Sequence, residues 1–337
     1  MTSTLDAARP RRAMVLAAGL GTRLRPITDE RPKPLVEVLG RTLLEHAMRN
    51  AARAGARAIA VNTHYLAEQV ADEAKRVARA LSVDVAVSHE PVILGTGGGI
   101  RRMRRLLPDV DGPVLIVNAD ALIDLDTDAL VAAHAKHRPI STLVLKETAD
   151  QERYGTIGVD DDARVRDFVG RVPVTAPVAR RGMFCGVHLV EEAVFDALDD
   201  TREMCINKEA YPKLLTADAR VHGVFCTTEF WDVGTAERLK DANARLLDGR
   251  ARFRFSDETD ARGVDVVDEG AEIVGPVVVA EGARLGRGAI VGPSVVVGRG
   301  AVIGAGARVK DSVVLAGARV DAGEDVSGLV VGGAVRA

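Results

Sequence analysis

The sequence predicts an α/β protein, a mixed sheet flanked by helices, followed by a parallel β-helix. Residues 13–145 read as short apolar strands alternating with helical stretches, which is the pattern of a mostly parallel sheet covered on both faces. From about residue 265 apolar residues recur every six positions: Val267, Ile273, Val279, Leu285, Val291, Val297, Ile303, Val309 and Leu315. A six-residue period is not the 3.6 of an α-helix and is too regular for separate hairpins. It fits a coil whose flat faces take six residues each, with the repeating aliphatic pointing inward. The length of 337 residues also exceeds one ordinary core, so two domains are expected.

Taken in chain order, residues 1–12 are expected to be a flexible tail with Arg9, Arg11 and Arg12 solvated. Strands are expected at Ala13–Ala18, Ala58–Asn62, Val83–Val87, Val114–Asn118 and Ser141–Lys146. Thr42-Leu43-Leu44-Glu45 reads as a capping box opening a helix that Gly55 closes. Leu66–Leu81 carries apolar residues at helical spacing. Past residue 147 the alternation weakens, and short strands near Thr156–Val159, Val165–Val169 and Met183–Val190 suggest a partly antiparallel section. This makes 13–240 a single Rossmann-like domain with a mixed sheet. Thr235–Leu247 reads as a connecting helix, 241–264 as a linker region and 265–337 as the β-helix domain. The six-residue phase breaks after Leu315, so the last coil is expected to be a cap.

A net charge of −3 and 47% hydrophobic residues describe a soluble globular protein with no bias toward nucleic acid. No run approaches 18 apolar residues and the N-terminus has no apolar signal core, so neither export nor membrane spanning is expected. Cys185, Cys205 and Cys226 are odd in number and form no Cys-x-x-Cys pair, which fits reduced thiols in a cytoplasm.

The most informative stretch is Leu16-Ala17-Ala18-Gly19-Leu20-Gly21-Thr22-Arg23-Leu24-Arg25-Pro26, with Lys33 between Pro32 and Pro34. An apolar run drives into a glycine loop, where small residues let backbone N–H groups approach a phosphate chain. Arg23 and Lys33 can hold the charge that a triphosphate presents. The alternative is an ordinary strand–turn–helix link with surface cations. No Gly-Lys-Ser/Thr follows the glycines, which excludes a P-loop. The string resembles the nucleotide-binding motif of the sugar-1-phosphate nucleotidylyltransferases, and the six-residue repeat resembles the left-handed hexapeptide-repeat β-helix.

Asn118-Ala119-Asp120 falls at the C-terminal end of an apolar strand, where open α/β sheets bind ligands. A carboxylate facing a triphosphate calls for a cation between them, Mg²⁺ by default. A turn or N-cap aspartate is the alternative, and it also stands for Asp232 in Trp231-Asp232-Val233-Gly234-Thr235. The resemblance implies that Asp120 and Asp232 together complete a metal site. It also implies that Ala17, Ala18, Gly19, Gly21 and Thr22 contact the nucleotide and that Arg23, Lys33 and Asp120 are catalytic.

Leu94-Gly95-Thr96-Gly97-Gly98-Gly99-Ile100 costs backbone entropy, so something must need a close approach there. A nucleobase lying on bare backbone is one reason, and a hinge or a tight helix–strand crossing is another. The resemblance places the base on Gly95, Thr96 and Gly97. It further implies that Tyr154, Gly155, Gly186, Lys208 and Glu209 line the sugar-phosphate site. The family's Glu-Lys-Pro lysine is missing at Phe168-Val169-Gly170-Arg171, so either Arg171 or Lys208 replaces it or Lys33 and the metal hold the sugar phosphate.

All seven histidines precede the β-helix, which disfavours the histidine-based acyl transfer of hexapeptide acyltransferases. The implied reaction joins an NTP and a sugar 1-phosphate into an NDP-sugar and pyrophosphate. GTP is favoured and UTP possible as the nucleotide, with a homo-oligomer expected. The layout is mannose-1-phosphate guanylyltransferase-like. The Gly-Thr-Gly-Gly-Gly-Ile loop is closer to heptose-1-phosphate guanylyl- and N-acetylmuramate-1-phosphate uridylyltransferases, and a catalytically silent regulatory homologue is the remaining alternative.

Overall fold

The computed structural model describes residues 4–147, 155–251, 253, 266–268 and 270–337. Two compact units divide the chain: Met1–Gly19, Ala47–Ala119 and Leu125–Thr228 make the first; Leu20–His46, Asp120–Asp124 and Glu229–Ala337 make the second. Neither unit is one continuous piece of sequence. No helix among the described residues is long and apolar enough to cross a membrane.

The first unit is built on a nine-stranded sheet. Its strands are β1 (Arg12–Leu16), β2 (Ala58–Thr63), β3 (Asp84–His89), β4 (Val114–Asn118), β5 (Ser141–Lys146), β6 (Ile157–Val159), β7 (Val165–Phe168), β8 (Arg180–Val190) and β9 (Val221–Phe225). The order is β7-β6-β8-β4-β1-β2-β3, with β5 also on β8 and β9 on β5. β1 runs parallel to β2 and β4, and β2 to β3, as the strand–helix alternation requires. β8 runs antiparallel to β4, β5 and β6, so the sheet is mixed. Covering helices follow their sequence signals. Thr42 Oγ1 accepts the Glu45 amide at 3.0 Å ahead of the helix Leu43–Ala54, and Gly55 follows it at φ +122°. Helix Ala67–Leu81 buries Val70, Ala74, Val77 and Ala78 on one face.

The expectation of a solvated N-terminal arginine cluster fails at Arg12. It opens β1 and is 1% exposed, with its guanidinium donating to the Pro108 and Gly112 carbonyls and lying 2.9 Å from Glu192. A long side chain can bury its stem when its head finds acceptors, and charge density alone does not show that. Arg11 is exposed, and Arg9 keeps a partly exposed side chain that pairs with the exposed Asp128 at 2.9 Å.

The second unit carries the β-helix. Short strands stack into three four-stranded parallel sheets. Val277 faces Val295 eighteen residues on, one coil of three six-residue faces. Val279, Leu285, Val291, Val297, Ile303 and Val309 fill the coil with buried alanines between them. The phase break lies one step earlier than the sequence reading placed it. Val297 pairs with Val314, seventeen residues on, and Val314 rather than Leu315 continues the inner row through Val320, Val326 and Val331. Leu315 turns outward into a second cluster with Leu24, Ile27, Val36 and Val38 and with Leu239, Ala242 and Leu246 of helix Ala236–Leu247. The segment after Leu315 pairs as one more coil, again seventeen residues long from Val314 to Val331, and the chain then doubles back, with Val331 bridging Arg336 antiparallel. Ile273, by contrast, is 43% exposed in the first coil.

A buried polar trio ties the first unit's core together. Tyr211 Oη meets Ser141 Oγ at 2.8 Å and also hydrogen-bonds His188 Nδ1 on β8. Burial lowers the pKa of His188 to about 3, so it is neutral in the fold. The unfolded chain, with an ordinary histidine pKa near 6.5, takes up the proton first. The stability contribution is thus complete above about pH 6.5 and is lost as pH falls toward 3. We expect the melting temperature to fall between pH 7 and 4, and its slope to be shallower in His188→Asn; equal slopes would count against the burial argument.

Candidate active site

Four sequence-selected side chains meet in the second unit. Gly21 takes φ +62°, and a Cβ there would lie 2.7 Å from Lys33 Cβ, so only glycine lets the two segments touch. Thr28 Oγ1 closes the loop by donating to the Gly21 carbonyl at 3.0 Å. Directly behind this loop the chain makes a single 3₁₀ turn, Thr22–Leu24. Lys33 opens another, Lys33–Leu35, with its side chain 6% exposed. Its Nζ lies 3.5 Å from Asp232 Oδ1 and 3.9 Å from Asp120 Oδ2. Those two oxygens are therefore no more than 7.4 Å apart, the 3.5 and 3.9 Å spokes laid end to end.

Asp232 is the hub. Its Oδ2 also faces Arg23 Nη1 at 3.3 Å and Arg238 Nη1 at 3.2 Å. The N-cap alternative for Asp232 does not hold, since Thr235 caps helix Ala236–Leu247 by accepting the Arg238 amide. Three cations within 3.5 Å offset the lost hydration of a carboxylate this buried. Asp120 is half exposed and Arg23 likewise, so the cluster has a buried end and an open end. The open end offers fixed positive charge beside hard oxygen donors, which suits a phosphate chain. No group of three or more His, Cys, Asp or Glu side chains converges as a metal cage among the described residues. Two carboxylates are nevertheless the donor set that Mg²⁺ accepts when phosphate oxygens and waters complete its shell.

In the first unit the glycine-rich stretch forms the opening of a helix, Gly95–Arg104, rather than a loop before one. The close approach its glycines permit is to protein. A Cβ at Gly95 would lie 2.5 Å from the Met204 carbonyl oxygen, and one at Gly99 2.8 Å from both Asn62 Nδ2 and Glu90 Oε1. The Gly97 amide donates to Met204 O at 2.8 Å, and Thr96 Oγ1 accepts the Ile206 amide at 3.0 Å. Beneath them runs a relay that reaches the first glycine motif. Asn62 Oδ1 accepts the Ala17 amide at 2.7 Å, its Nδ2 donates to Glu90 Oε1 at 2.8 Å, and Glu90 Oε2 accepts the Leu94 amide at 3.0 Å. Ala18 is buried and Gly19 has nothing within 4 Å of an added Cβ.

Of the residues expected near a sugar phosphate, Gly186 sits at the register shift of β8, at φ +72°, where a Cβ would strike the Asn118 side chain at the end of β4. Gly155 packs on Val169 in the same manner. Glu209 holds Arg202 at 2.7 Å and accepts the Cys205 amide at 3.0 Å, and these contacts, Arg202 first, hold its carboxyl below the usual range. Lys208 and Arg171 are exposed. Tyr154 lies outside the described residues.

Sequence reasoning missed Arg238, Asn62 and Glu90. Arg238 could have been noticed because a cation in the first turn of a helix opposes the macrodipole and so needs another reason to be there. Glu90 stands directly after an apolar strand and ahead of the glycine cluster, which marks its place but not its role. Its complete burial has no sequence signature.

The nucleotidyl transferase family matches residues 12–249, and the GMPPB C-terminal domain matches 273–336. The chain belongs to the nucleotidyl transferase family. Among its relatives are a mannose-1-phosphate guanylyltransferase of Mycobacterium tuberculosis, 30% identical over 92% of this chain and 81% of that one, and an N-acetylmuramate α-1-phosphate uridylyltransferase of Caulobacter vibrioides, 34% identical over 71% and 98%. Another is the mannose-1-phosphate guanylyltransferase catalytic subunit beta of Drosophila melanogaster, 29% identical over 66% of this chain and 59% of its own length, so the match spans less than two thirds of that relative.

The relay under the glycine helix yields a structural prediction. Gly99→Ala must push Asn62 and Glu90 apart and leave buried polar atoms poorly paired, at a cost of about 2 kcal/mol. Calorimetry should show a fall of about 5 °C in melting temperature; an unchanged value would mean that the relay yields freely.

Proposed function

We propose that this chain transfers a nucleoside monophosphate from an NTP to a sugar 1-phosphate, releasing pyrophosphate. The observation that carries the reading is Lys33 held between Asp120 and Asp232, with Arg23 on the same carboxylate. The sugar phosphate has a second pKa of about 6 and is ionised at neutral pH, so the nucleophile needs no general base. Catalysis then reduces to aligning two anions and cancelling their repulsion. Lys33 neutralises charge where the two phosphates approach. Arg23, more exposed, turns from Asp232 toward the departing pyrophosphate, while Arg238 stays to keep Asp232 from standing unpaired. Asp120 and Asp232 would hold Mg²⁺, which when bound lends Lewis-acid neutralisation of the phosphoryl oxygens. Ala17–Thr22 and Gly95–Gly97 are assigned to the nucleotide, and Gly155, Gly186, Lys208 and Glu209 to the sugar phosphate. Tyr154 is assigned there on the resemblance alone.

GTP and mannose 1-phosphate are the favoured pair, supported by the names of the Mycobacterium and Drosophila relatives. The uridylyl alternative is supported by the Caulobacter relative, which this chain covers almost from end to end. The reading includes a cytoplasmic homo-oligomer, which light scattering checks. A matrix of the four NTPs against sugar 1-phosphates, read by product mass and pyrophosphate release, tests the function, and no product from any pair would refute it. Asp120→Asn, at a half-exposed position, should fold normally and lose at least about 100-fold in kcat. Added chelator should abolish turnover and Mg²⁺ restore it, whereas turnover indifferent to chelator would remove the metal from this reading.

A further inference from the structure

Lys33 lies in a short segment, residues 30–37, that is fastened to the β-helix at three side chains within the second unit. The Glu30 carboxylate accepts the Gly333 amide through one oxygen and the Ala334 amide through the other, each at 2.8 Å. Arg31 Nη2 donates to the Ala316 carbonyl at 2.7 Å, and Glu37 Oε2 accepts the Ala316 amide at 2.8 Å. Both backbone polar groups of one β-helix residue are thus taken by side chains flanking Lys33.

The β-helix is shaped to receive them. A Cβ at Gly298 would lie 2.2 Å from Glu37 Oε2, and one at Gly333 2.9 Å from Glu30 Oε2. Apolar packing already joins these pieces: Ile27, Val36 and Val38 share a core with Val296, Val313, Leu315 and Val330. Such packing is non-directional, so the hydrogen bonds add orientation rather than attachment. Pro32 and Pro34 flank Lys33 and fix their own φ angles, so the segment is stiff and follows its anchors.

We infer that the last coils of the β-helix are a positioning element for the Lys33 ammonium, with Glu30, Arg31 and Glu37 as positioning residues. The inference rests on the role proposed above for Lys33. The clamp sets where Nζ stands relative to Asp120 and Asp232 without touching substrate.

The test uses the full chain with Glu30→Ala, Arg31→Ala and the double variant, and reads two quantities. In steady-state kinetics kcat should fall about 10- to 100-fold, with KM for the NTP within about twofold. Acetylation of Lys33 by an amine-reactive ester, followed by mass spectrometry, should be slow in the parent chain and several-fold faster in the variants. Ile303→Ala, which weakens the coil core without touching the clamp, should leave the Lys33 labelling rate unchanged. Glu30→Gln keeps one acceptor and should lie between parent and Glu30→Ala, which supplies a measurement if the alanine variants fold poorly.

Unchanged kcat in the double variant overturns the inference. So does a fall in kcat with Lys33 labelled at the parental rate, since the loss then comes from elsewhere. Faster labelling in Ile303→Ala also overturns it, because general loosening then explains the exposure. Failure of the parent reading looks different: Lys33→Ala would itself keep full turnover.

Discussion

One buried ammonium group organises the second unit. Lys33 is removed from water at a cost that only close opposite charge offsets, and the chain supplies Asp120 and Asp232 from points more than a hundred residues apart. That requirement reaches outward. Gly21 has no side chain because the lysine stem occupies the space, and Gly234 is equally tight beside Asp232 and Arg23. Arg238 stands in a helix turn that does not favour a cation because Asp232 needs it there. Replacing such a cluster with apolar groups of similar volume is often neutral or stabilising, so its presence is poor support for stability and better support for function.

The first unit solves a different problem with the same economy of side chains. Its two glycine motifs are far apart in sequence, yet an asparagine and a glutamate beneath them link the Ala17 amide to the Leu94 amide through three hydrogen bonds. Glycines above the relay allow the 204–206 backbone to lie directly on the helix start. The result is a floor of backbone whose position depends on buried polar geometry, where a small error leaves an unpaired group.

The parts legible in the sequence were those set by local periodicity and by chain order. Strand–helix alternation located β1 to β5 within a residue or two, and the six-residue period located the coil. Asp120 and Asp232 could be paired in advance because strand ends and motif spelling mark them. What escaped depends on tertiary burial. Arg12 looks like any tail arginine until Glu192 and two carbonyls are folded around it. The one-residue slip before Val314 was hidden because Leu315 is also aliphatic and also buried, only against different neighbours. At the glycine cluster 95–99 composition signals a close approach, but that Met204, Asn62 and Glu90 make it is set by tertiary packing.

The two carboxylate grips on the coil bear on how the repeat array can change length. Glu37 grips the coil at the level of Ala316, and Glu30 grips it at Gly333 and Ala334, one level further along. Neighbouring levels of such a stack are spaced by about 4.8 Å. A whole extra level inserted ahead of Gly298 would leave both grips in register. The same insertion between Ala316 and Gly333 would draw them apart by the height of one strand, so the array is extensible at its start and fixed in length at its end.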